Sequence, residues 1–127
     1  KLLLPKNLSE RVVDNPTWLA PEIIRQENYT EKADCYSFAV VMWEMMARER
    51  PYVDMFFWEI QEMILKGERP PIPKRCDFLY ASIIKEGWQD DASARPPMDA
   101  ISRRLGQLWV SHAPMVDYEI SLKDEEG

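Results

Sequence analysis

Apolar positions crowd into one part of this chain. From Ala33 to Ala47 nearly every residue is apolar, Cys35, Tyr36, Phe38, Val40, Val41, Met42, Trp43, Met45 and Met46 among them. A helix that is apolar all round is either a membrane span or the buried centre of a domain. A span needs about 20 apolar residues free of charge, whereas this run is shorter and carries Asp34 and Glu44. The pattern therefore predicts a helix buried along most of its surface. Thr30 is placed to cap it, and Glu31 adds negative charge at the positive end of the helix dipole.

The flanking segments are amphipathic at helical spacing. Asp54 is expected to cap a helix with Phe56, Ile60, Met63 and Ile64 on one face, stopped by Gly67 and followed by Pro70, Pro71 and Pro73. A further helix is expected from Asp77 to about Trp88, with Phe78, Leu79, Ile83 and Ile84 turned inward. The last begins near Pro97 and sets Met98, Ile101, Leu105 and Leu108 on one side. No stretch alternates as a strand would, and nothing repeats. Residues 1–19 have no sustained period and read as an extended loop, residues 20–110 as an all-helical unit around one buried helix, and residues 111–127 as a polar tail.

The stretch "NPTWLAPEII", Asn15 to Ile24, stands out at the junction of loop and helices. Pro16 and Pro21 exclude a regular interior, because proline lacks the backbone donor and fixes φ. A plain surface loop has no need of Trp18. The run is a shaped segment that feeds a helix starting near Pro21, where proline suits the first turn.

Composition narrows the function. The 127 residues fit one domain, and a net charge of −6 argues against a nucleic-acid groove or a polybasic membrane patch. The two cysteines, Cys35 and Cys76, lack metal-like spacing and are expected to be reduced and mostly buried, in a cytoplasmic protein, rather than paired. His112 is the single histidine, which excludes any site needing two imidazoles. Lys1-Leu2-Leu3-Leu4-Pro5 is too short for a signal peptide, no membrane segment is expected, and the missing initiator methionine suggests a start inside a longer product.

At this point the residues resemble a known family. Ala20-Pro21-Glu22 resembles the A-P-E that closes the activation segment of eukaryotic protein kinases. It is followed at similar spacing by "YTEKADCYSFAVVMWEM" (Tyr29 to Met45), "RPY" (Arg50 to Tyr52), "KGERPPIP" (Lys66 to Pro73) and "WQDDASARP" (Trp88 to Pro96). The last two blocks look most like tyrosine kinases and the tyrosine-kinase-like serine/threonine kinases. The resemblance implies a mainly α fold, the C-terminal lobe of the kinase domain, with helices packed around a central buried helix. It also implies transfer of the ATP γ-phosphate to Ser/Thr, or to Tyr, of a protein substrate.

The resemblance assigns roles residue by residue. It pairs Glu22 with Arg95 in a buried ion pair, against the plain reading of two separately solvated charges. It makes Asp34 a support for the catalytic loop, against a second capping residue. Asn15, Pro16, Thr17 and Trp18 become the substrate-binding pocket for the residue after the phosphoacceptor, although Trp18 as a core anchor fits as well. Thr17 stands where tyrosine kinases carry a basic residue, which favours Ser/Thr. Ser9 is a candidate phosphosite, and Glu44 is either a contact for a basic substrate residue or half of a structural ion pair.

The chain also departs from the family pattern. Asp14-Asn15 replaces Gly-Thr, Gly87 replaces a cysteine, Ala92 a proline, and Pro97 a capping hydroxyl. Asn15 still donates and accepts hydrogen bonds, yet the change keeps a pseudokinase or scaffold lobe, acting as a protein-interaction module, as the alternative function. The Gly-rich cover, strand lysine, catalytic Asp and Asn, and metal-binding Asp of phosphoryl transfer are not in this sequence. Asp77-Phe78-Leu79 mimics D-F-G but comes after A-P-E. Catalytic residues are thus expected outside this segment, with ATP and Mg2+ bound by the missing N-lobe and catalytic-loop part of the same domain. The segment alone is expected to be inactive and poorly folded, since its central helix would show an apolar patch.

Overall fold

The computed structural model describes residues 15–111, and no strand occurs among them. Helix α1 is the single turn Pro21–Ile24, and α2 is the long helix Lys32–Ala47. Helices α3 (Phe57–Leu65) and α4 (Phe78–Gly87) follow. A 3-10 turn at Ala92–Ala94 then leads into α5, residues 98–111. None of these helices is long and apolar enough to cross a membrane.

Local chemistry explains most of the boundaries. Proline sits at the opening of α1, where its missing N–H costs nothing. The Thr30 hydroxyl accepts from the Lys32 N–H at 3.2 Å, so it serves the first turn of α2 although Glu31 occupies the cap position. Asp77 caps α4 directly, its carboxylate accepting from the N–H groups of Leu79 (2.9 Å) and Tyr80 (3.2 Å). Gly67, at φ 82°, ends α3. Its N–H donates to Ile64 O and that of Glu68 to Met63 O, both at 3.0 Å, the two bonds of a Schellman turn.

One expected cap is corrected. Asp54 lies in the preceding turn at φ 60°, and Phe56 holds the cap position of α3. The donor that matters, the Phe56 N–H, is met from inside the helix by the Glu59 carboxylate at 2.9 Å.

Helix α2 is the centre of the core. Its Ala33, Cys35, Tyr36, Ala39, Val40, Met42 and Trp43 are buried with Ile60 and Ile64 of α3, Ile83 and Ile84 of α4, Trp88, and Ile101 of α5. The closest packing is α4 on α2. A Cβ added at Gly87 would lie 2.8 Å from that of Ala39, so only glycine allows this approach. Polar ties lock the packing: Trp43 Nε1–H donates to Pro71 O (2.9 Å) and the Tyr80 hydroxyl to Met42 O (2.8 Å). Cys35 and Cys76 are free thiols, and burial raises the pKa of both.

The inward assignments hold for helix interiors and fail at helix starts. Phe56, Phe78, Leu79 and Met98 are exposed, Phe78 by 80%. Each stands at the cap or in the first turn of its helix, and side chains lean toward a helix N-terminus. They therefore overhang the end of the helix instead of the core. Helix α2 itself keeps one open stripe, Asp34, Val41 and Met45.

Candidate functional site

The loop ahead of α1 is held open and rigid. Leu19 N–H donates to Pro16 O at 2.9 Å, closing a turn around Thr17 and Trp18. The Asn15 Oδ1 accepts from the Thr17 N–H at 3.0 Å and from the Thr17 hydroxyl, while Thr17 itself is buried. The Ser37 hydroxyl, on α2, donates to Trp18 O at 2.6 Å. The Trp18 indole N–H donates to the Glu44 carboxylate, two turns further along the same face of α2. Glu44, expected to meet a basic substrate residue or to form an ion pair, has the Trp18 indole as its partner and no ion pair among the described residues.

This turn borders a groove of about 430 Å³. Asn15, Thr17 and Trp18 form one wall, and the opposite wall comes from Arg50 to Met55 together with Phe57 and Ile60. The latter segment carries positive φ at Tyr52 and Asp54, and Arg48 ahead of it closes α2 in the same conformation. Left-handed backbone is costly for a side chain as large as tyrosine, and such strain is held where the surroundings over-determine it. Here Tyr52 packs against the core, and its hydroxyl donates to Glu68 O at 3.3 Å. Sequence reading missed this second wall. The "RPY" block was its only signal.

Glu22 and Arg95 meet behind the loop. Arg95 is 1% exposed and Glu22 7%. Two parallel bonds join them, Nη1–Oε2 and Nη2–Oε1, each 2.8 Å. The remaining Arg95 donors reach backbone carbonyls: Nε to Gln89 (2.8 Å), Nη1 to Lys32 (3.0 Å) and Nη2 to Asp90 (3.2 Å). A buried guanidinium is tolerable only when its fork is fully used in this way. Burial pushes the Glu22 carboxyl upward, but the Arg95 hydrogen bonds and charge outweigh it and leave the pKa below the ordinary value.

A further tie was invisible in sequence. Arg69 and Arg95 both lie over the Tyr36 ring, at 5.1 and 5.2 Å from its centroid. Arg69 also donates from Nε to Trp88 O at 2.8 Å and from Nη1 to Ile64 O at 3.1 Å. One ring on α2 thus aligns two cations that bind α1, α3 and the turn before α5.

The other assigned residues are not gathered here. Asp34 is exposed on the open stripe of α2 and accepts no side-chain hydrogen bond among the described residues. Ser9, Asp14 and His112 lie outside the described residues. Among the described residues there is no group of three His, Cys, Asp or Glu side chains able to hold a metal ion.

Comparison with known proteins identifies the family. Residues 6–105 match the family model described as protein tyrosine and serine/threonine kinase. A probable serine/threonine-protein kinase of Dictyostelium discoideum is 44% identical over 96 residues, covering 75% of this chain and 6% of the relative. The probable serine/threonine-protein kinase pats1 of the same organism is 37% identical over 120 residues, covering 93% of this chain and 4% of pats1. A putative serine/threonine-protein kinase/receptor of Acanthamoeba polyphaga mimivirus is 43% identical over 90 residues, 71% of this chain and 6% of that protein. The chain therefore spans only a small part of the relatives it matches. By its family match and by these relatives, the chain belongs to the protein tyrosine and serine/threonine kinase family.

Proposed function

We propose that the chain is the substrate-docking lobe of an active Ser/Thr protein kinase. The observation that carries this reading is the anchored turn Asn15–Trp18 on the rim of the groove. Two hydrogen bonds to α2 and one within the turn hold a loop whose Trp18 is still 37% exposed. That is far more fixation than a spacer loop needs, and pre-organised recognition surfaces bind at lower entropic cost. Thr17, buried and uncharged, supports Ser/Thr acceptors, as do the names of the relatives.

In this reading the Glu22–Arg95 pair sets the depth of the loop, because it pins α1 immediately behind it. Asp34 points out from the open stripe of α2 and supports the catalytic loop of the intact domain. Ser9 is the candidate phosphosite of this segment. ATP and Mg2+ belong to residues outside this chain, since its own residues do not form the phosphate cover or the metal ligands of the reaction. No chemical step is assigned to the lobe itself.

The Asn15 Oδ1 is occupied within the turn, which leaves only its amide to face a catalytic loop. That observation supports the second reading, a pseudokinase or scaffold lobe. The experiment is phosphate transfer from ATP to Ser, Thr and Tyr peptides by the intact domain, with Trp18→Ala as the comparison. Transfer to Ser or Thr, with KM raised by the substitution, supports a docking lobe of an active kinase. No transfer to any peptide by a folded domain would leave the scaffold reading.

A further inference from the structure

A shallow apolar groove runs between α4 and α5. It encloses about 160 Å³ and is lined by Leu79 and Ile83 of α4 and by Arg104, Gln107, Leu108 and Ser111 of α5. Leu79 is 55% exposed, and Trp109 and Val110 at the end of α5 are each 68% exposed. Apolar surface gathered in this way marks a contact face in soluble domains.

The chain itself supplies an occupant at the right place. Ser111, the last described residue of α5, lines the groove, so the sequence of residues 112–127 begins at its mouth. That sequence is polar in sum but not evenly so. Val116, Tyr118, Ile120 and Leu122 alternate with Asp117, Glu119, Ser121 and Lys123, the period-two pattern of an extended segment with one apolar face. Pro114 opposes a continuation of α5, because its ring clashes with the preceding turn and it lacks a backbone donor. The lengths match as well. From Ser111 back to Arg104 is about two helical turns, roughly 11 Å, and four extended residues cover about 13 Å.

Charge favours the same occupant. Arg104, on the groove wall, meets Glu86 through Nη2 at 2.6 Å and has no second carboxylate among the described residues. Arg103 beside it is exposed. Asp117 and Glu119 carry negative charge at the polar positions of the segment, which suits long arginine stems along a rim. We propose that residues 115–122 turn back and dock in the α4–α5 groove of their own chain, with Val116, Tyr118 and Ile120 against Leu79, Ile83 and Leu108. Residues 112–114 are the whole tether, and a tether this short holds the segment at an effective concentration on the order of millimolar. Weak individual contacts therefore suffice to close the groove.

The test is amide hydrogen exchange on the intact kinase domain. Three forms are compared: the wild type, a form ended after Ser111, and Tyr118→Ser/Ile120→Ser. Both altered forms should exchange the amides of residues 79–83 and 104–111 about tenfold faster than the wild type, with α3 unchanged. Leu79→Glu, made on the groove side, should give the same pattern. The double substitution touches no residue of the α2 core, so it decides the matter even where the shortened form fails to fold, and the α3 amides report that the domain is intact. Equal exchange in wild type and double variant overturns the proposal. Protection by the tail that Leu79→Glu leaves untouched also overturns it, by placing the segment on another face. Protection that falls on dilution, with a dimeric mass by light scattering, would put the segment on a second copy and overturn it too. The readout needs no phosphate transfer, so it stands apart from the substrate-docking reading.

Discussion

Replacing Arg95 should cost this lobe more than any other single change. The side chain is 1% exposed, forms both bonds of a bidentate pair with Glu22, and satisfies the carbonyls of Lys32, Gln89 and Asp90. Removing one partner of a buried pair typically costs about 3–5 kcal/mol, because the other charge stays buried and alone. The carbonyls that lose their donor add about 1 kcal/mol each where water does not replace it. Against a total stability of about 5–15 kcal/mol, Arg95→Ala should remove most of the folding free energy. Arg95→Lys keeps the charge but loses the planar fork, and Glu22→Gln keeps the shape but loses the charge. Each of these milder variants should cost about 2–3 kcal/mol. Urea unfolding of the intact domain measures them, together with the Glu22→Gln/Arg95→Lys double variant. The double should be markedly less destabilised than the sum, with a coupling of at least about 1 kcal/mol. Single variants within about 0.5 kcal/mol of wild type, or strict additivity, would refute the reasoning.

Other consequences follow from single contacts. Gly87→Ala drives a methyl to 2.8 Å from Ala39 Cβ, and should destabilise by about 1–3 kcal/mol, partly recovered by Ala39→Gly; thermal unfolding of the single and double variants checks it. Asp77→Ala removes the acceptor for two α4 N–H groups and should cost about 1 kcal/mol, with faster amide exchange confined to the first turn of α4. Because Glu22 has a lowered folded pKa, its contribution is fully present above its ordinary value of 4.5. It is lost as pH falls below that value and through the folded pKa. Wild type should thus lose more stability than Glu22→Gln between neutral pH and about pH 3, and parallel curves would count against the pairing.

Helix interiors were readable from spacing because this core is built on the α2 axis. Ile60, Ile64, Ile83, Ile84 and Ile101 all fall where periodicity puts them. The helix start at Asp77 and the stop at Gly67 were equally legible, since each residue acts on backbone groups within a few positions. Phe56, Phe78, Leu79 and Met98 were misassigned for a geometric reason: an apolar residue at a helix start fits the helical period but lies beyond the end of the packed face. The A-P-E segment and its distant arginine were legible only through the family resemblance, as local pattern cannot relate Glu22 to Arg95. The groove wall at Tyr52–Phe57 and the Tyr36 stack depend on long-range packing, and no local period signals either.

The role proposed for the anchored Asn15–Trp18 turn is to receive a protein substrate in an intact kinase. A Ser peptide bearing a photo-crosslinker at the residue after the acceptor, irradiated on the intact domain with a non-hydrolysable ATP analogue, tests this most directly. Mass spectrometry is expected to find the adduct on Asn15 to Trp18, competed by unlabelled peptide and weakened by Trp18→Ala. Competed labelling that falls elsewhere on the domain and ignores Trp18 would contradict it.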